Sequence, residues 1–450
     1  MSKDEQRLIN GNIWKGMLLF SFPLILSNLA QVLFNMSDIA VVGKFSTDTA
    51  LGEVGSTATL VTLFIGFLIG MANGVNVVVA RNIGKNDKES IHHSIHTSFL
   101  LCLFMGIIIL LLGVIFSHSL LVLLNTKPEF INGATLYLQI FFLGMPGLAL
   151  YNFGNATYSA YGETKKPLFF LLGAGVINIC LNLFFVLGLK MSVDGVAIAS
   201  VVSQYLSALL VIISLMREKG IIHLSLKDIR IYQGQTKEIL ALGIPSGIQS
   251  AIFAIANLFI QSGVNSLDSV MVEGCAASQN ADALIYDAMA AFYMAGSSYI
   301  SQNYGARKKK RILKSYFISI VYSFGIGAIL SLLLMIFGSN FLSLFTNKQE
   351  VIEAGMVRVY IMGCSYAVSS FMDASIAASR GLGHSLIPTI IVILGSCVFR
   401  VIWVYTVFAY YKTAESLFLL YIFSWVITSI VEIAYFIYLY RYKIKSLEEK

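Results

Sequence analysis

The chain has 450 residues, of which 57% are hydrophobic and only 12% are charged. A soluble domain carries about 25% charged residues, so this composition, with a mean hydropathy of +0.78, excludes a soluble enzyme or binding module. The formal net charge of +7 is weak evidence for nucleic-acid binding, because the basic residues are spread over short loops. It favours contact with the anionic headgroups of a lipid bilayer.

Twelve apolar segments follow one another along the chain. About 20 apolar residues are enough to cross a bilayer. Segments of this kind lie at approximately 14–42, 54–80, 91–116, 130–159, 167–189, 194–216, 239–265, 275–302, 311–337, 351–379, 387–410 and 415–440. The even number predicts that both chain termini lie on one side of the membrane.

The basic residues predict which side that is. Alternate connections are rich in Lys and Arg, whereas each of the others carries a single Lys: Lys44, Lys127, Lys190, Lys348 and Lys412. Positive charge is retained in the cytoplasm. The pattern therefore predicts a multi-pass membrane protein with both termini cytoplasmic.

The second half of the sequence repeats the first. Pro23 and Pro167 are separated by 144 residues, and Pro245 and Pro388 are separated by 143. This register predicts two copies of one six-helix bundle, an arrangement typical of transporters that rock about a central site.

The predicted fold class is an all-α integral membrane protein. We expect twelve transmembrane helices in two six-helix bundles, related by a pseudo-two-fold axis along the membrane normal. The predicted parts are an N-lobe with helices 1–6 (1–216), a cytoplasmic connecting loop (217–236) and a C-lobe with helices 7–12 (237–450). Pro23 and Pro245 each remove a backbone hydrogen bond and are candidate points of helix bending.

Asp38 is the sharpest candidate functional residue of the first half, because an ionisable group inside a span is costly. A carboxylate there can bind a cation or hold a proton. Asn178 and Asn182 are one helical turn apart and share a helix face, where they can bind a ligand or join helices. Tyr137 and Ser200 are weaker candidates.

The second half has its own set of polar residues within predicted spans. Asp282, Asp287, Asp373 and Arg400 are ionisable, and Arg400 could form an ion pair with any of these acids. A line of polar side chains on the seventh span should face protein or water: Gln249, Asn257 and Gln261. A structural ion pair and a cavity site are both open interpretations here.

No metal site or enzyme motif is expected. His92 and His96 share a helix face, but the sequence offers no acidic third ligand nearby. The chain has no phosphate-binding loop for ATP, and no HExxH or paired-Asp motif.

Several motifs together resemble the MATE (multidrug and toxic compound extrusion) family. They are PLILSNL (23–29) leading to DIAVVG (38–43), GMANG (70–74), GETKKP (162–167), NICLNLFF (178–185), and MD (372–373) before RGLGHSLIP (380–388). The chain looks closest to the DNA-damage-inducible-F-like branch of that family.

The resemblance implies a secondary antiporter that exports organic cations or drugs in exchange for H⁺ or Na⁺ by alternating access. It implies no cofactor besides the coupling ion and no catalytic residue. We expect the protein to function as a monomer in the bacterial inner membrane. It also implies that Asp38 is the coupling acid, with Tyr137, Asn178 and Ser200 grouped around it and Na⁺ as the alternative to a proton. Where members of the branch usually carry an Asp, this chain has Asn182.

Three rival functions remain. A flippase or exporter of a lipid-linked or other amphipathic substrate would belong to the same superfamily, but such relatives generally have additional spans. A membrane-embedded enzyme would need clustered catalytic groups. The internal repeat argues against a channel.

Overall fold

The computed structural model describes residues 7–46 and 49–448, with side chains to residue 443, and these residues are almost entirely helical. The chain ends used in the prediction of orientation, residues 1–6 and 449–450, lie outside the described residues. After a short helix at Arg7–Asn10 come the long helices α1 Ile13–Phe45, α2 Ala50–Lys85, α3 Lys88–Leu123, α4 Pro128–Leu143 with Met145–Tyr161, α5 Lys165–Leu183, α6 Val193–Arg217, α7 Gln233–Asn265, α8 Ser269–Gly305, α9 Lys309–Leu342, α10 Gln349–Gly381, α11 Leu386–Tyr411 and α12 Ala414–Glu448.

Each long helix coincides with one predicted span. Ten of them are long and apolar enough to cross a membrane among the described residues, and the two pieces of α4, bent by 46° at Gly144, pass the same criteria only when they are taken together. The remaining predicted span, 275–302, lies within the helix α8. Its mean hydropathy is lower than that of the other spans, because polar residues such as Asn280, Asp282 and Asp287 interrupt its apolar surface.

The backbone repeats with the same register as the sequence. Residues with a left-handed backbone conformation (positive φ) follow corresponding helices in the two halves: Asn86 and Arg307, Gly162 and Gly383, and Lys190 and Lys412. Members of each pair are 221 or 222 residues apart. A π turn follows α5 at Phe184–Gly188, and another lies in α11 at Val404–Phe408. The duplication predicted from the proline spacing is therefore present at the level of backbone conformation.

The packing divides the chain into two compact units, and the division falls inside helices α1 and α7. One unit contains the chain up to Ile25 and the chain from Gln249 onward; the other contains Leu26–Ile248. The breaks come two residues after Pro23 and three residues after Pro245. The predicted lobe boundaries at 216 and 237 follow the repeat, which is a different division of the chain, and they stay a prediction.

In the unit that contains the second repeat, the first half of α1 packs as a core element. Met17 and Phe20 are fully buried there against α8 residues such as Ala295 and Tyr299. Arg311 fixes the preceding turn, because its guanidinium donates to the carbonyl oxygens of Leu8 (3.1 Å) and Gly11 (2.8 Å).

In the other unit, the first half of α7 packs closely on α2 through glycines. A Cβ added at Gly70 would lie 2.4 Å from the backbone nitrogen of Gly247, and one at Gly74 would lie 2.7 Å from that of Gly243. Both helices therefore present a small-xxx-small motif, which allows two membrane helices to approach at backbone distance.

The connector between the repeats, residues 218–232, docks on the first turns of α3. His96 accepts a hydrogen bond at Nε2 from the backbone N–H of Ser225 (3.0 Å), and Thr97 accepts one from that of Tyr232 (3.1 Å). The His93 ring stacks on Tyr232 at 3.7 Å. Ile222 and Leu224 are almost fully buried. The connector is thus a packed part of its unit.

Replacing Gly74 by Leu should lower the stability of the protein by about 1–3 kcal/mol, because the side chain would overlap the α7 backbone. The measurement is the thermal midpoint of the detergent-purified protein. Gly173→Leu is the matched control, because a Cβ at Gly173 meets nothing within 4 Å. Equal midpoints for the two variants would contradict the close approach of α2 and α7.

Replacing His96 by Lys should release the connector, because Lys cannot accept the hydrogen bond from Ser225. His96→Gln keeps an acceptor and should retain the docked state. The readout is the rate of tryptic cleavage at the exposed Lys227 and Arg230, with His223→Gln as a control within the connector.

Acidification from about pH 7.5 to about pH 5, the range in which free imidazole gains its proton, should speed cleavage of the native protein but not of His96→Gln. Asp228 is not the titrating group. The Ser225 side chain, followed by His92, lowers its pKa below the ordinary Asp value, so it stays ionised through this range. Equal acid acceleration in both proteins would rule out His96.

Candidate functional site

Asp38 is one of four side chains that form a small ring of hydrogen bonds in the Leu26–Ile248 unit. The amide of Asn182 donates to its Oδ1 (2.5 Å) and the hydroxyl of Ser200 donates to its Oδ2 (3.1 Å). Asn178 closes the ring, since its Oδ1 accepts from Asn182 (3.2 Å) and its Nδ2 lies 3.5 Å from the Ser200 hydroxyl. The structure thus brings together side chains from α1, α5 and α6.

The ring is buried and electrically uncompensated. Asn182 is fully buried, Asn178 and Ser200 are nearly so, and Asp38 itself is half-buried. None of the described Lys, Arg or His residues forms an ion pair with Asp38. Tyr137 on α4 is buried and close enough to Asp38 to interact with its charge. Neutral groups alone surround this carboxylate among the residues that the structure describes.

One acceptor in this ring is left over. The Oδ1 atom of Asn182 is buried and has no hydrogen-bond partner. The local backbone is also irregular, because the π turn Phe184–Gly188 begins two residues later. Turns of this kind are frequent at functional sites.

The acidic residues of the second half have a different environment. Arg358, which is almost fully buried on α10, forms an ion pair with Asp282, and the Tyr366 hydroxyl donates to the same carboxylate. Arg358 also donates to the carbonyl oxygen of Cys275 (3.1 Å). Arg358 is not among the residues singled out from the sequence, although it lies inside the predicted span 351–379, where a buried base is itself a signal.

Arg400 does not form the ion pair that the sequence suggested. Its guanidinium lies over the rings of Phe253 (5.6 Å), Tyr421 (4.6 Å) and Trp425 (5.6 Å), and its Nε donates to Ser424 (3.1 Å). Aromatic faces stabilise a cation in this way. Among the described residues no carboxylate lies at ion-pair distance from it.

The other candidates of the second half are dispersed. Asp373 is buried and accepts from the Tyr286 hydroxyl (3.2 Å). Gln249 accepts from Arg380 (2.7 Å). Asp287 is partly buried on α8, Asn257 is exposed on α7, and Gln261 donates to Asn265 (2.9 Å) and accepts from Gln279 (3.2 Å). Pro23 and Pro245 lie inside continuous helices.

The histidine pair acquires an acidic neighbour through the fold. His92, His96 and Asp228 place ligand atoms within 4.8 Å of one another, although the sequence indicated no nearby acid. His96 is nevertheless a poor metal ligand. Its Nδ1 lies 2.7 Å from the His92 carbonyl oxygen, and its Nε2 already accepts from Ser225.

Comparison with known proteins identifies the family. The MatE family model matches residues 23–184 and again residues 245–406. The probable multidrug resistance protein YoeA of Bacillus subtilis is 26% identical over 394 residues, which cover 86% of this chain and 85% of that protein. The FAD transporter of Shewanella oneidensis is 22% identical over 368 residues, 81% of each chain.

A solved structure described as the outward-facing conformation of a multidrug resistance MATE family transporter covers 100% of both chains, with a TM-score of 0.89 and 21% identity. The twelve-helix, two-bundle fold and the resemblance to MATE transporters are therefore confirmed. The assignment to the DNA-damage-inducible-F-like branch stays a prediction.

Replacing Asp282 by Asn should destabilise the protein by about 3–5 kcal/mol, because it leaves the Arg358 charge buried and unpaired. Thermal unfolding in detergent measures the loss. The double variant Asp282→Asn with Arg358→Met should recover most of it. A single variant as stable as the native protein would contradict a structural role for this pair.

Proposed function

Because this chain belongs to the MatE family, we propose that it is a secondary active antiporter that exports organic cations in exchange for H⁺ or Na⁺. The observation that carries the proposal is the environment of Asp38. A carboxylate in a membrane span, surrounded only by neutral groups among the described residues, is available to bind a positive charge from either solution.

The ring around Asp38 suits a proton in both charge states. As a carboxylate, Asp38 accepts from Asn182 and Ser200. As a carboxylic acid, it needs an acceptor, and a rotation of the Asn182 amide would turn its unpartnered Oδ1 toward the new O–H group. Asn182 can therefore satisfy Asp38 in either state. An Asp at position 182 could donate a hydrogen bond to ionised Asp38 only if it carried a proton itself, so it would have to gain and lose that proton to serve both states of Asp38.

The same oxygens suit Na⁺ as the alternative coupling ion. Carboxylate, amide and hydroxyl oxygens are hard ligands of the kind that hard cations prefer. Asp38, Asn182 and Ser200 together offer one oxygen of each type. H⁺ and Na⁺ thus remain two versions of the proposal.

Exchange follows from competition for one charge. An organic cation and the coupling ion both neutralise Asp38, so each disfavours binding of the other. If the two bind with different relative affinities to the inward-open and outward-open states, each shifts the equilibrium by that difference. Bending near Pro23, fifteen residues before Asp38 on the same helix, is the proposed link between binding and that equilibrium.

The surroundings of the protein follow from its charge distribution. We place it in the bacterial inner membrane as a monomer. We place both termini in the cytoplasm, because the Lys- and Arg-rich connections share that side. No nucleic acid, cofactor or enzymatic activity forms part of the proposal.

Replacing Asp38 by Asn should abolish drug resistance in a susceptible bacterial host while leaving expression and thermal stability close to native. Growth at increasing drug concentrations measures the first, and unfolding in detergent the second. Asp268→Asn is the matched control: Asp268 caps α8 by accepting from Met271 (2.9 Å), and Asn caps helices equally well. Full resistance with Asp38→Asn would refute the coupling role.

The coupling ion can be identified in everted membrane vesicles. Dye transport is measured first under an imposed pH gradient and then under an imposed Na⁺ gradient. H⁺ coupling predicts a response to the first alone, and Na⁺ coupling a response to the second. Transport that ignores both gradients would contradict the antiport proposal.

A second candidate function is export of an anionic amphipathic substrate. Three arginines lie inside the unit with the second repeat, and the Nη2 of Arg400 and the Nε of Arg380 are buried without partners. One relative is described as an FAD transporter. Saturable uptake of a flavin nucleotide by everted vesicles, lost in Arg400→Gln, would favour this candidate; uptake of cationic dyes alone would exclude it.

A further inference from the structure

A polar stripe runs along the buried face of the last helix, α12. Ser424, Thr428 and Glu432 recur every four residues, and all three are fully buried. Residues at this spacing share a helix face, and the rise of the helix places the first and last about 12 Å apart. Neither the sequence motifs nor the proposed exchange at Asp38 makes use of this stripe.

The first two residues of the stripe, Ser424 and Thr428, form hydrogen bonds with α11. Ser424 accepts from the Nε of Arg400 (3.1 Å), and the hydroxyls of Thr428 and Ser396 lie 3.0 Å apart. Ser396 is part of a π turn, Ile393–Val398. The hydrogen bonds between α11 and α12 therefore run from Arg400 to Thr428 and stop one helical turn before Glu432.

Glu432, at the end of the stripe, has no such partner. Both of its carboxylate oxygens are buried and accept no hydrogen bond, and none of the described basic residues forms an ion pair with it. An ionised carboxylate that loses its water and gains no donor is strongly disfavoured, and such a group takes up a proton instead.

Charged and titratable groups face Glu432 from several helices at longer range. They are Asp373 and Arg380 on α10, Tyr316 on α9 and Tyr435 on α12. Asp373 lies two helical turns from Arg380, so the two share a face of α10. The Nε of Arg380 is itself buried without a partner. A cation that could pair with an ionised Glu432 is therefore near but not in contact.

We propose that Glu432 is a second proton-carrying site, which holds a proton in this conformation and releases it when Arg380 or water reaches its carboxylate. On release the O–H bond of Glu432 breaks, the proton passes to a water oxygen, and the remaining carboxylate pairs with Arg380. A proton fits this site better than Na⁺, because the nearby charge of Arg380 would repel a metal cation.

This inference deepens the proposed function and rests on it only for its role in transport. The first test needs no transport. Infrared difference spectra of the purified protein in lipid nanodiscs, recorded in H₂O and D₂O, report protonated carboxylic acids. Glu432→Gln should remove one such band at neutral pH. Glu415→Gln, an exposed acid on the same helix, should remove none.

The second test is transport in proteoliposomes, measured as protons moved per substrate molecule. Glu432→Gln should lower this ratio and flatten the pH dependence of transport, whereas Glu432→Asp, which keeps a titratable group, should restore both in part. A structural role alone would change the amount of folded protein without changing the ratio.

The two proposals fail in different ways. Inactivity of Asp38→Asn together with an unchanged infrared band in Glu432→Gln would overturn the inference about Glu432 and leave the antiporter intact. Loss of the band with an unchanged proton ratio would make Glu432 a permanently protonated structural residue, which overturns its carrier role. Full activity of Asp38→Asn would overturn the proposed function, while the band would still decide the protonation of Glu432.

Discussion

A carboxylate inside a membrane span can keep its charge only where other polar groups replace its water. Asp38 meets this condition through Asn182 and Ser200, which donate to its two oxygens. Because these donors are neutral, they stabilise the charge without cancelling it. The donors come from α5 and α6, so the environment of Asp38 depends on how these two helices are placed against α1.

Asp282 illustrates the opposite solution. Its charge is cancelled by Arg358 and its second oxygen is taken by Tyr366, so the group is committed to holding α8 and α10 together. Asp38 and Asp282 are both ionisable residues within long helices, but their surroundings differ in charge. The distinction lies in whether the partner carries a charge: Asp282 is paired with a cation, whereas the hydrogen-bond donors to Asp38 are neutral.

The sequence alone predicts most of the architecture, because long apolar runs and a repeat of fixed length leave few alternatives. It also predicts the grouping of Asp38 with Asn178, Asn182 and Ser200, though only through family resemblance. The partners of Arg400 and Asp282 could not be predicted, since helical periodicity says which face a residue occupies but not which neighbour that face meets. Glu432 has a readable signal in the sequence, because it follows Ser424 and Thr428 at four-residue spacing on one helix face.

The first halves of α1 and α7 each pack against helices of the other repeat, which has a consequence for how the protein folds. The first half of α1 has its burial partners in the second repeat, and the first half of α7 has its glycine contacts in the first. A polypeptide cut at the connector would therefore yield two fragments, each with an apolar half-helix whose partners reside on the other fragment. Neither half would be a self-sufficient folding unit. Each repeat therefore depends on the other for the burial of one half-helix.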